Sequence, residues 1–165
     1  MLPLSKLLDR ASESLCDAGC WLLAVLAALI NVEVVLRYAA GKSTLIADEY
    51  GGYLLVWISM LGFAHALRSG QFIRVEMFVD RRGPRARAAC DAFAALVGLL
   101  VAAVTAYACW LLLAGSLRFG TRSIQPSSTP LWTMQLALPL GMAWLCLLYL
   151  EALARNLWRL AGGMK

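Results

Sequence analysis

Residues 92–117 read AFAALVGLLVAAVTAYACWLLLAGSL, without one Asp, Glu, Lys or Arg. A hydrocarbon layer about 30 Å thick needs roughly 20 apolar helical residues, so this stretch can cross a bilayer with some tilt. It is apolar around its whole circumference, as helices in lipid or in a bundle core are. A surface helix of a soluble domain would show a polar face.

Three further stretches of this kind occur. Residues 18–38 contain WLLAVLAALINV and carry Glu33 and Arg37 near their far end. Residues 50–67 hold no Asp, Glu, Lys or Arg, and residues 130–150 form the apolar part of a run that opens at Ser123. The second is short, so it borrows from its flanks or thins the bilayer locally. The sequence therefore predicts an all-α membrane protein, with residues 1–165 forming a single membrane domain of four transmembrane helices. Composition points the same way: 61% of residues are hydrophobic, 15% are charged and the mean hydropathy is +0.71. Soluble domains average about 45–50% apolar and about 25% charged. Lys6 and Arg10 resemble the basic head of a secretory signal, but Asp9, Glu13 and Asp17 dilute it. The first apolar run also exceeds the usual length of about 7–15 residues, so a retained helix is expected.

Lys and Arg set topology through their excess on the cytoplasmic side. Eleven of the 15 fall in the two ends and in the middle connection, which holds Arg68, Arg74, Arg81, Arg82, Arg85 and Arg87. Both termini and the middle connection are therefore expected in the cytoplasm of a bacterial inner-membrane protein. The net charge of +5 lies in these gaps between apolar runs, which excludes a nucleic-acid face. Within the middle connection, Phe72-Ile73-Arg74-Val75-Glu76-Met77-Phe78-Val79 interleaves apolar residues with charges. Such a segment suits the interface, where its arginines meet phospholipid headgroups. Gly83-Pro84 then breaks the chain before the third span.

Ionisable residues inside a span are functional candidates, because burying charge in lipid is costly. Glu33 is the one acid in a span, and Arg37 stands four residues on, in the favourable order for a helical ion pair. That pair anchors the first helix near the outer interface, or else Glu33 carries a proton or meets a substrate. Asp48 and Glu49 precede the second span, where Asp48 suits a capping role and both suit the positive end of the dipole. Pro139 cannot donate to the Gln135 carbonyl, so a kink is expected in the fourth span, where Gln135 could bond to another helix. Gly51, Gly52, Ser59, Gly62 and Gly98 allow close helix approach, and Trp132 and Trp158 read as interfacial anchors. His65 is the only histidine, so bis-histidine haem ligation is excluded. No Cys/His cluster of metal-ligand spacing, P-loop, nucleophile triad or dinucleotide fingerprint occurs, and no cofactor is implied. The five cysteines read as small apolar helix residues.

Several strings then combine. Asn31-Val32 and Arg37-Tyr38 close the first span, and Asp48-Glu49 leads into Tyr53-Leu54-Leu55-Val56-Trp57 and Leu61-Gly62. Ala66-Leu67-Arg68-Ser69-Gly70 precedes Ile73-Arg74-Val75-Glu76, and Thr129-Pro130 precedes Leu138-Pro139-Leu140-Gly141. From about residue 18 to 155 this series resembles the small membrane subunit of tripartite ATP-independent periplasmic (TRAP) transporters, the DctQ-like family. Phe72 stands where that family usually has His, and Glu76 where it has Asp. The resemblance implies three partners in sodium-coupled import of an organic anion, often a carboxylate. These are a soluble periplasmic binding protein, a large multi-span subunit holding the substrate and sodium sites, and a small scaffold. It places Glu33, Arg37, Asp48 and Glu49 at outer-face or large-subunit contacts. It implies that Arg68, Arg74 and Glu76 set the cytoplasmic turn and its lipid contacts. The competing reading is a four-helix proton-coupled exporter working as a homodimer through Glu33. A thiol–quinone oxidoreductase would need paired cysteines on the outer side, which the expected topology denies.

Overall fold

A computed structural model describes residues 3–41, 43–69, 84–125 and 127–161. These residues form α1 (Pro3–Ala40), α2 (Ile46–Arg68), α3 (Pro84–Phe119), α4 (Leu131–Gln135) and α5 (Ala137–Leu160). Among the described residues four helical segments, with α4 and α5 counted together, are long and apolar enough to cross a membrane. The only extended pairing among the described residues is an isolated bridge between Arg122 and Pro130.

The helices outrun the apolar stretches that revealed them. α1 begins well before residue 18, through a segment in which Leu8, Ala11 and Leu15 alternate with Asp9, Arg10 and Glu13 at helical spacing. Charges end a span, but they do not end a helix whose apolar positions keep the 3.6 period. α3 likewise starts at Pro84, a residue suited to the first helical position because its missing N–H would be unbonded there anyway. The fourth span is interrupted for one residue at Leu136, where α4 ends and α5 begins. The proline at 139 leaves the Gln135 carbonyl without its helical donor. Bonds from Leu136 N to the Trp132 carbonyl (3.1 Å) and from Leu140 N to the Leu136 carbonyl (3.4 Å) carry the path across. The buried Oε1 of the Gln135 side chain has no hydrogen-bond partner.

α1 packs on α2, α2 on α5, and α5 most extensively on α3. Packing thus follows the order α1–α2–α5–α3, which leaves α1 and α3 as the outer members. Their free faces are strongly apolar: Trp21, Val35, Phe93, Val104, Tyr107 and Trp110 are all exposed. Apolar area on this scale suits lipid or a protein partner and not water. The core between helices is built mainly of alanine, with Ala64, Ala92, Ala95, Ala102 and Ala137 buried. Small residues let backbones approach, which is how helices gain packing energy where lipid removes the hydrophobic drive. Two glycines mark the closest contacts. A Cβ on Gly98 of α3 would stand 2.5 Å from Tyr149 Cε1, and one on Gly141 of α5 would stand 2.7 Å from Met60 Cβ. By contrast, Gly52 and Gly62, expected to serve the same purpose, face open space.

Candidate functional site

The polar residues singled out in the sequence gather at opposite ends of the bundle. At one end α1 stops at Ala40 and the chain turns through Gly41, whose φ is +63°, to Leu45, whose φ is +57°. A leucine in the left-handed region is strained, so its surroundings must hold it there. Glu33 supplies that hold. Its side chain is 8% exposed, and Oε1 accepts from Ser43 Oγ (2.7 Å) and Thr44 N (3.1 Å). Oε2 accepts from Thr44 Oγ1. Arg37 stands 3.6 Å from Glu33 and also donates to Ser43 Oγ at 3.1 Å. The expected ion pair is present, and the carboxylate serves chiefly to fasten the turn entering α2.

Asp48 does not cap α2. The N-cap is Leu45, with no side-chain cap bond, and Thr44 Oγ1 meets the Ile46 amide at 3.3 Å instead. Asp48 lies three residues past the cap, where its carboxylate is 63% exposed and 4.0 Å from Arg37. Glu49 differs again, because it is buried. It accepts from Ser127 Oγ at 2.5 Å and from Tyr53 OH at 3.1 Å. Tyr50 OH pairs with Thr129 Oγ1 at 3.0 Å, so two successive residues of α2 grip the loop between α3 and α4. That loop is folded tightly on itself, with Ser123 N bonded to the Thr129 carbonyl at 2.9 Å and Leu131 N to the Thr121 carbonyl at 3.1 Å.

At the opposite end, Arg68 in the last turn of α2 donates to Asp9 of α1 and to Glu151 of α5. Its side chain is 13% exposed and that of Glu151 16%, while Asp9 is about half exposed. One guanidinium thus ties three helices, which its planar fork of donors suits. Arg74, Glu76 and the interleaved segment 72–79 lie outside the described residues. Sequence reasoning missed Asp9 and Glu151, because both sit outside the apolar runs searched for intramembrane charge. It also missed Ser43, Thr44 and Ser127, whose hydroxyls carry no signal of their own. Among the described residues no group of three His, Cys, Asp or Glu side chains could hold a metal ion.

Residues 26–159 match the family described as tripartite ATP-independent periplasmic transporters, DctQ component. This chain belongs to the DctQ family. The match takes in Glu33, Arg37, Asp48, Glu49, Arg68, Arg74, Glu76 and Glu151, but not Asp9. A Haemophilus influenzae protein bearing the name of TRAP transporter small permease protein is 31% identical over 84 residues, covering 51% of this chain and 50% of that one. The match thus reaches about half the length of that curated relative. DctQ membership and four apolar helical segments together make this a multi-pass membrane component of a transporter. Within this DctQ chain, Glu33, Glu49 and Arg68 all join one segment of the protein to another.

Proposed function

We propose that this chain is the small, non-catalytic subunit of a TRAP transporter in the bacterial inner membrane, with both termini in the cytoplasm. It braces a large multi-span subunit that carries out sodium-coupled import of an organic anion such as a carboxylate. Its outer connections help receive the periplasmic binding protein. The match to the DctQ component over residues 26–159 carries the transporter class. The scaffold role is supported by what the buried ionisable groups do. Glu33, Glu49 and Arg68 bind serine, threonine, tyrosine and carboxylate partners within the chain, and so stiffen both ends of the bundle. The exposed apolar faces of α1 and α3 offer broad surfaces for lipid and for the large subunit.

The exporter reading requires Glu33 to exchange protons or meet a substrate. Both of its oxygens are instead occupied by Ser43 and Thr44, which opposes that role. Sodium-gradient-driven uptake in proteoliposomes tests the proposal. Uptake is expected only when this chain, the large subunit and the binding protein are all present. Proton-coupled efflux from liposomes holding this chain alone would contradict it.

A further inference from the structure

A cleft of about 570 Å³ opens between the second half of α1 and the first turns of α2. Its lining is largely apolar, with Leu26, Ile30, Val34 and Leu55 along it. Ile30, Val34 and Leu55 are about half exposed, so the cleft is open along its length. Gly52 keeps it clear, since nothing lies within 4 Å of where its Cβ would be. At the rim stand Arg37 and Asp48, 4.0 Å apart and each more than half exposed. Glu33 lies behind them with its oxygens already engaged by Ser43 and Thr44.

We propose that this cleft binds one phospholipid whose headgroup carries both a phosphate and an ammonium group. The phosphate meets the Arg37 guanidinium, the ammonium meets the Asp48 carboxylate, and an acyl chain follows Val34, Ile30, Leu55 and Leu26. Charge selects the headgroup. One guanidinium faces two carboxylates here, so a purely anionic headgroup would gain one attraction and suffer two repulsions. A zwitterion satisfies Arg37 and Asp48 together through charge-assisted hydrogen bonds. Length agrees as well. From Arg37 back to Leu26 the helix rises about 16 Å, roughly the depth of one hydrocarbon leaflet. The inference needs only the membrane-spanning helices and these side chains, so it stands or falls separately from the subunit role.

Native mass spectrometry of the full chain extracted in mild detergent tests it. The probes are phosphatidylethanolamine and phosphatidylglycerol with identical acyl chains, offered in equal amounts. One phosphatidylethanolamine is expected to remain bound in preference to phosphatidylglycerol. Gly52→Leu fills the open space from a helical position and is expected to lower the bound fraction by about tenfold, as loss of about 1.4 kcal/mol of contact does. Asp48→Asn is expected to erase the preference for the ethanolamine lipid while leaving binding of both. Glycerophosphoethanolamine, which lacks acyl chains, is expected not to displace the lipid. Preference for phosphatidylglycerol, bound lipid indifferent to Gly52→Leu, or displacement by the chain-free headgroup would each overturn the proposal.

Discussion

Arg68 at the end of α2 donates to Glu151 in α5, joining residues 83 positions apart in a largely buried ion pair. Asp9 of α1 shares the same guanidinium. Breaking a buried pair by removing one partner leaves the other charge uncompensated, at about 3–5 kcal/mol in general. Both side chains keep some exposure and Asp9 still pairs with Arg68 when Glu151 is removed, so Glu151→Ala is expected to cost less than that, about 1–3 kcal/mol. Asp9→Ala, about half exposed, is expected to cost about 1 kcal/mol or less. Thermal unfolding of the detergent-solubilised chain gives both values. Equal effects of the two changes would contradict the view that the more buried Glu151 contributes more than Asp9.

Glu33 fastens the turn between α1 and α2 through the Thr44 amide. In Glu33→Ala that amide loses its acceptor, and hydrogen exchange at Thr44 is expected to run roughly tenfold faster. Exchange in the middle of α3 is expected to stay unchanged. Uniform acceleration along the chain would mean that Glu33 supports the whole fold and not this turn.

Gly141→Ala and Gly52→Ala form a contrasting pair. The new methyl at 141 meets Met60 Cβ at 2.7 Å, where backbone must shift, and overpacking of this kind costs about 1–3 kcal/mol. At 52 the methyl enters open space, and the gain in helix propensity is about 0.5–1 kcal/mol. Opposite shifts in thermal midpoint are therefore expected. A fall in both would place a neighbour against Gly52.

Leu45 holds a φ of +57°, which a leucine adopts at a cost of about 1–2 kcal/mol. Leu45→Gly is expected to recover part of that cost and raise the thermal midpoint by a few degrees. A lowered midpoint would show that the partly exposed side chain contributes more than the strain removes.

The spans were legible because lipid demands uninterrupted apolar length, and residues 92–117 announce that on their own. The Glu33–Arg37 pair was legible too, since four residues on a helix place two side chains together. Asp9 and Glu151 were not. Each meets Arg68 through the register between helices, and no periodicity in one helix encodes its register against another. The misassigned cap at Asp48 has the same origin. The turn entering α2 takes its acceptor from Glu33, eleven residues before Thr44, so local capping rules had no view of it. Pro139 spoke clearly of a break, whereas Gly52 looked like a packing glycine and proved to border a cleft.

Affinity purification of this chain from its native membrane, with the stoichiometry of what accompanies it, bears most directly on the proposed subunit role. Recovery of one large multi-span membrane protein per copy of this chain is the expected result. A chain that purifies alone, stays stable and transports by itself would contradict it.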